Sequence, residues 1–485
     1  MSKRLLLLGA GASLFTKIIN IFAQFLVIMI LTKNFSLETV GIYSFSLSIV
    51  EILFFINKMG SQNSLQYFIP RNNKKEENDK VFFFFIILSN FIAFLYMALL
   101  ILFKDVVQGS STLNFGMLLL LSISFIFLNY IEIVSSLFRA LKNINISTLI
   151  NKNNHNLFLL ITLSVFLLFN FNNDIVLIGS AMIVSSFLYM IYSYIITKKY
   201  GFILTKDIFK SLNTKYIKEV LTYSLPVMFT GIVYILLSKV DQVIVGYYID
   251  NESVAKYMVM AKISTLVLVI VQIFSNMFAP ILSEKFHQNK INEAEESYHF
   301  INNIIWFLSI PVLVFVFLFA KDLILLLSNE SYLDSINVLY ILTFGAAISA
   351  LTGNTGLMLQ MGKKQKFEFI NTILALIINL VLSIILVKTY GIIGVAFSTM
   401  SALVIVNLIK IYAIKKFFNI DFLNKDIIKI LLFLTIILPL IYHLQLNNYI
   451  TFTIFATMYI IFFYFFILDK SAKEKITQLK RKIIK

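Results

Sequence analysis

Cysteine is absent from the 485-residue chain. Its absence excludes disulfides and thiolate metal sites and identifies no compartment by itself. Charge is sparse as well: 14% of residues are Asp, Glu, Lys or Arg, against 59% hydrophobic, and the mean hydropathy is +0.87. The sequence holds no phosphate-cradling glycine loop, no cluster of metal ligands and no nucleophile–base arrangement. It also lacks long connections. The longest external one expected, Ala320 to Ser335, is 16 residues, and the polar stretches Lys198–Lys218 and Ser283–His299 are too short for an independent domain. An extramembrane catalytic domain therefore has no place, which weakens a polymerase or glycosyltransferase reading. No small-residue cleavage pattern follows Met1-Ser-Lys-Arg, so the first apolar run is expected to be a span rather than a signal peptide.

What remains is apolar sequence in repeated runs. A soluble protein of this size has no interior large enough to hide it. Runs of about 18–25 residues, each able to cross ~30 Å of hydrocarbon, predict an all-α polytopic membrane protein with about fourteen transmembrane helices. They fall at 11–32, 39–60, 81–103, 112–138, 148–169, 175–197, 219–248, 254–282, 300–319, 332–360, 367–387, 391–414, 427–446 and 449–468. With both termini cytoplasmic, the inside segments hold 31 Lys and Arg and the outside segments 4 (Lys33, Lys104, Lys321 and Lys388). That asymmetry sets the orientation. The formal net charge of +16 is thus a topology signal with attraction to anionic membrane lipids, and no nucleic-acid partner is expected.

The two halves resemble each other. Ser36–Ile49 (SLETVGIYSFSLSI) aligns with Asp250–Ile263 (DNESVAKYMVMAKI), so that Glu38 meets Glu252, Val40 meets Val254 and Tyr43 meets Tyr257. Pro70 and Pro280 close the spans that follow. Further on, Ala140–Ile146 faces Met361–Phe367 and Ile178–Ala181 faces Ile393–Ala396, in the same order. Six spans per copy means two parallel repeats, a transporter plan with the substrate site at the repeat interface. The predicted divisions are an N-terminal lobe 1–215, a C-terminal lobe 216–426, two further spans in 427–469 and a basic cytoplasmic tail 470–485.

Polar residues recur at helical spacing on the first two spans of each copy. Span 1 carries Ser13, Lys17, Asn20 and Gln24; span 2 carries Ser44, Ser48, Glu51, Lys58 and Gln62, with Phe55 in the remaining register position. Span 7 carries Thr230, Tyr234, Ser238 and Asp241, and span 8 carries Lys262, Thr265, Gln272 and Asn276. Residues three and four apart share one helix face, so the four stripes predict one cavity between the halves. Interhelical hydrogen bonding is the alternative for Ser13, Ser44, Ser48 and Thr265. Lys58 lies near the cytoplasmic end and is expected to snorkel. Lys239 and Asp241 diverge onto different faces, with Lys239 pairing loosely or reaching the external surface. Lys17, Glu51, Asp241 and Lys262 lie well inside their spans, where an ionisable group costs about 2.5–3.5 kcal/mol. Structural ion pairs, Lys262 with Glu51 for instance, are the competing reading. His155 is expected to be hydrated, Glu132 to pair locally with Arg139, and Pro226 to mark a bend or a packing kink.

Four stretches carry a family likeness: LTKNFSLETVGIYSFSLSI at the span 1–2 junction, SKVDQVIVGYY…VAKYMVMAKI over spans 7 and 8, MGKKQK before span 11, and YGIIGVAFSTMSA opening span 12. With them the whole chain resembles polysaccharide and oligosaccharide-lipid flippases of the Wzx type, in the multidrug/oligosaccharidyl-lipid/polysaccharide exporter superfamily. The resemblance implies two six-helix lobes with spans 1, 2, 7 and 8 lining a cavity. It also implies alternating-access transport of an undecaprenyl-pyrophosphate-linked glycan, for capsule, O-antigen or exopolysaccharide, across a bacterial cytoplasmic (inner) membrane. The expected substrate cavity is Lys17, Asn20, Gln24, Glu51, Lys58, Tyr234, Lys239, Asp241, Lys262 and Gln272, with Lys17 and Lys262 on the pyrophosphate. Some relatives place arginines there, so headgroup details do not transfer to these lysines. No cofactor or metal is expected; a coupling proton or sodium ion would use Glu51 or Asp241. Polysaccharide polymerase or assembly proteins are candidate partners, and spans 13 and 14 offer a groove for the lipid tail by analogy. Rival readings are a cation-coupled drug or metabolite antiporter of the same superfamily, a lipid II flippase, a membrane-embedded glycan polymerase and a non-transporting scaffold.

Overall fold

The computed structural model describes residues 3–71, 75–109, 112–169, 171, 173–202, 214–422, 424–443 and 446–467. The predicted basic tail 470–485 and most of the 198–218 connection lie outside these residues, as do the side chains of Ser13 and Asn276. The described residues form eighteen α-helices and no strand. In order they are α1 (Lys3–Asn34), α2 (Leu37–Asn57), α3 (Ser61–Phe68), α4 (Lys75–Leu102), α5 (Lys104–Gln108), α6 (Phe115–Ala140), α7 (Ile144–Leu149), α8 (His155–Phe166) and α9 (Asp174–Lys199). They continue as α10 (Thr214–Tyr248), α11 (Asn251–His287), α12 (Ile291–Leu318), α13 (Ala320–Leu327), α14 (Ile336–Thr352), α15 (Thr355–Met361), α16 (Gln365–Phe418), α17 (Lys425–His443) and α18 (Asn448–Phe462).

Eleven described helical segments are long and apolar enough to cross a membrane. One of them, α16, is 54 residues long and turns at Gly391 (φ 56°, ψ −139°), so it accounts for both predicted spans 11 and 12. The helices α8 and α17 lie at predicted spans 5 and 13 but are not among these eleven segments. The chain is an all-helical, multi-pass membrane protein.

The repeat is visible in the helix ends. Ser36 caps α2 by accepting from the Thr39 amide, and Asp250 Oδ1 accepts from the Ser253 amide at the start of α11, 214 residues later. Lys142 and Lys363, paired in the Ala140/Met361 alignment, both adopt a left-handed backbone (φ 60° and 62°) just past α6 and α15. Asn143 and Lys364 then open the next helices. Pro280 departs from the alignment: it lies inside α11, which runs on to His287, whereas Pro70 sits in a 3-10 turn, Ile69–Arg71.

The described residues cluster into two compact units. The first takes residues up to Val259 with Ile324–Ser335 and Asn379–Val395; the second takes Met260–Leu323, Ile336–Ile378 and residues from Ala396 on. At the centre of the first unit, α6 packs against α9, α2, α3 and α4. Small buried residues permit that approach: Ser122, Ser124, Ser135 and Ser136 on α6, Ser185 and Ser186 on α9. A Cβ at Gly179 would overlap the Leu120 side chain. In the second unit, Trp306 and Ile310 of α12 form an apolar core with Ile430 and Ile437 of α17 and Phe455 and Tyr459 of α18. Trp306 Nε1 donates to Leu351 O at 2.8 Å, and the Tyr459 hydroxyl to Trp306 O at 3.0 Å.

Two helix breaks in the first unit bring charge inward. Predicted span 2 ends early, because Met59 and Gly60 take left-handed backbones (φ 46° and 71°) and the chain restarts as α3. Gly60 lies against the Ser224 backbone of α10, two residues before Pro226, and the Ser64 and Ser224 hydroxyls meet at 2.8 Å. Predicted span 5 shortens to α8, whose 12 residues rise ~18 Å. Before it the backbone leaves helical geometry between α7 and the 3-10 turn Lys152–Asn154. Its carbonyls are satisfied by protein: Asn154 Nδ2 donates to Thr148 O and Leu149 O at 2.9 Å, and the Tyr189 hydroxyl to Leu149 O and Asn151 O at 3.0 and 2.8 Å. Irregular backbone at membrane depth persists only where such partners exist. His155, expected to be hydrated, is instead buried, with Nε2 2.7 Å from Ser185 Oγ.

Gly60→Ala combines a disfavoured φ with overlap on backbone that cannot rotate away, and is expected to cost about 2–4 kcal/mol. Unfolding of purified Gly60→Ala should show that loss; a midpoint equal to wild type would contradict the packing described.

Candidate functional site: a buried ionic network

The polar stripe of α2 is legible as a series of contacts. Ser48 donates to its own helix at Ser44 O and also meets Gln242 of α10. One turn on, Glu51 receives two lysines on separate oxygens. Lys239 Nζ of α10 lies 2.6 Å from Oε2, and Lys152 Nζ, from the turn before α8, lies 3.5 Å from Oε1. Lys152 Nζ is also 4.5 Å from the centre of the Phe125 ring on α6, within cation–π range. Just before the break at Gly60, Lys58 pairs with Glu132 of α6, which also accepts from Gln62 Nε2 beyond it. Lys58 Nζ sits 4.9 Å from the Phe55 ring.

Three expectations change. Lys58 does not snorkel; it is 7% exposed and paired inside. Glu132 pairs with Lys58 across 74 residues of sequence rather than with Arg139. Lys239 reaches Glu51, not the external surface. Its divergence from Asp241 stands, since Asp241 has different partners: the Tyr257 hydroxyl at 2.6 Å and Asn379 Nδ2 at 3.0 Å, with Ser383 Oγ donating to Asn379 Oδ1 at 3.1 Å. All these groups lie in the first unit.

Beside the network, a cleft of about 180 Å³ opens between the α2–α3 break and α10. Phe55, Lys58, Gln62, Thr230, Gly231 and Tyr234 line it. It offers aromatic surface with the amide or hydroxyl groups of Gln62, Asn63, Thr230 and Tyr234, a combination suited to a polar headgroup, and the Lys58 ammonium at its wall is held by Glu132. Thr230 and Ser238 of the α10 stripe bond to their own helix, at Pro226 O and Ile235 O.

The other predicted positions are distributed as follows. Lys17 and Gln24 are half-buried on α1, and Asn20 donates to Asn154 beside the α8 turn. Lys262, half-buried, and Gln272, exposed, fall in the second unit. The structure thus joins Glu51, Lys58 and Lys239 to two residues that helical spacing did not single out, Lys152 and Glu132. A signal for Lys152 existed in the asparagine-rich run NKNNHN, placed where a continuous span was expected. Among the described residues, no group of three His, Cys, Asp or Glu side chains is arranged to hold a metal ion.

The sequence matches the polysaccharide biosynthesis protein family over residues 6–286 and the MatE family over residues 226–385. The chain belongs to the polysaccharide biosynthesis protein family. A 274-residue stretch is 27% identical to an uncharacterized membrane protein of Methanocaldococcus jannaschii, covering 55% of this chain and 52% of that one. The chain thus spans about half the length of that curated relative. Among solved structures, it is similar to the lipid II flippase MurJ in an inward closed conformation (TM-score 0.73, 20% identity, 94% of this chain and 99% of that one). It is also similar to an inward-facing multidrug resistance MATE family transporter of the MOP superfamily (TM-score 0.68, 14% identity, 84% and 98%). The fold is that of the MOP superfamily transporters.

Removing one partner of a buried pair leaves an uncompensated charge, at about 3–5 kcal/mol, whereas replacing both by apolar groups is close to neutral. Lys58→Met and Glu132→Leu are each expected to lose that much in unfolding measurements, and Lys58→Met/Glu132→Leu to recover most of it. Additive losses in the double variant would contradict a direct pair.

Proposed function

We propose that the protein is a flippase that moves an undecaprenyl-pyrophosphate-linked oligosaccharide, the repeat unit of a surface polysaccharide, from the cytoplasmic to the outer leaflet of a bacterial inner membrane. The observation that carries the reading is the lysine-rich network of Lys58, Lys152 and Lys239 beside an aromatic and amide-lined cleft, in a chain of the polysaccharide biosynthesis family with a MOP transporter fold. Lysines act as point charges for phosphate oxygens, and the neutral polar groups suit sugar hydroxyls.

The mechanism in this reading is alternating access, with the lobes 1–215 and 216–426 rocking about the cargo while the polyprenyl tail stays in lipid and is received by spans 13 and 14. Lys17 and Lys262 contribute further cationic contacts from spans 1 and 8, with Asn20, Gln24 and Gln272 beside them. Asp241 and Glu51 are the candidates for a coupling proton or sodium ion. Both termini are cytoplasmic, and polysaccharide assembly proteins are the natural partners. Lipid II is the second cargo reading, favoured by the similarity to MurJ over 94% of this chain. Loss of viability on deletion, rather than loss of a surface glycan alone, would select it.

In the surface-glycan reading, Lys17→Ala and Lys262→Ala strains insert the protein normally, as read by membrane immunoblot, and export at least about tenfold less surface polysaccharide, the loss of one charge-assisted contact. Wild-type polysaccharide in both strains would remove these lysines from the cargo path.

A further inference from the structure

We propose that Lys152 is a positioning residue for anionic cargo: it takes over the Glu51 carboxylate when a pyrophosphate engages Lys239. The inference rests on the lipid-pyrophosphate reading above and adds what happens to the resident counter-ion.

Glu51 and Lys239 form a close pair, and their side chains are each 19% exposed. A pyrophosphate that draws Lys239 away removes the closer of the two lysines on that carboxylate in a poorly hydrated site, which opposes binding. Lys152 is already in position to prevent this. Its ammonium stands on the carboxylate's other oxygen at 3.5 Å, a looser contact than the 2.6 Å made by Lys239. The chain just before it is held by the Asn154 and Tyr189 bonds to the Thr148, Leu149 and Asn151 carbonyls, while its four-carbon stem lets the ammonium advance. The Phe125 ring supports the charge in the loose position. Cargo binding then exchanges one carboxylate partner for another. The exchange moves Glu51 from a link between α2 and α10 to a link between α2 and the turn before α8, which loosens α2 from α10 as cargo arrives.

A thermodynamic cycle separates this role from direct phosphate contact. Farnesyl pyrophosphate binding is measured on the purified full chain in micelles, with farnesol as the uncharged control. Lys152→Gln is expected to bind farnesyl pyrophosphate about tenfold more weakly, and Lys152→Arg within about twofold of wild type. In a Glu51→Gln background the carboxylate charge that Lys152 stabilises is gone, so adding Lys152→Gln should change affinity by less than about twofold. Equal weakening by Lys152→Gln in both backgrounds, or none in either, overturns the proposal while leaving the flippase reading intact. Loss of the unliganded fold in Lys152→Gln also overturns it, because the resting pair uses Lys239. If wild type binds farnesyl pyrophosphate no more tightly than farnesol, the lipid-pyrophosphate reading itself falls.

Discussion

A carboxylate cannot stay ionised inside an apolar helix bundle without a cation beside it, and the first unit is arranged around two of them. Glu51 and Glu132 lie on helices that are otherwise fit for lipid, and three lysines are brought to them from separate elements. Regular helices alone do not make the meeting. Lys58 follows the end of α2 at a left-handed Met59–Gly60 turn, and Lys152 enters through the asparagine-supported break before α8. Each break exposes backbone groups that need partners, and serine, asparagine and tyrosine side chains supply them. Charge pairing, helix interruption and the small-residue packing of α6 on α9 are therefore parts of one solution.

The duplication shows how specialised the first copy is. With the offset of 214, Ser48, Glu51, Lys58 and Gln62 of the first copy correspond to Lys262, Thr265, Gln272 and Asn276 of the second. The stripe is retained, but its carboxylate has become a threonine and its lysine stands nearly three turns earlier, at the position of Ser48. Gly60 corresponds to Phe274, and α11 runs on without the break that ends α2. On these stripes, the carboxylate with two lysine partners thus belongs to the first copy.

Much of this was readable from the sequence, for definite reasons. Apolar run length reveals the spans, and the repeat was visible in part because helix caps select short polar residues such as Ser36 and Asp250 at fixed places. The face of α2 that carries polar groups followed from helical spacing. Spacing within one helix names a face, however, and not the partner opposite it. Glu132 and Lys152 come from distant parts of the chain, and only tertiary packing identifies them as the partners of Lys58 and Glu51. His155 was misread for a related reason: its polar neighbours suggest water, yet Asn154 turns inward to bond the broken backbone, and the imidazole lies against Ser185.

The central claim is that this cationic network serves the transfer of a pyrophosphate-linked glycan between leaflets. It is tested most directly by reconstituting the purified full chain into vesicles carrying an undecaprenyl-pyrophosphate-linked oligosaccharide in the inner leaflet and following the appearance of glycan to an impermeant lectin outside. The account predicts lectin-accessible glycan in vesicles that contain the protein, well above protein-free vesicles, and little transfer of a glycolipid of the same sugar without phosphate. Equal transfer of both lipids, or no transfer above the protein-free rate, would contradict it.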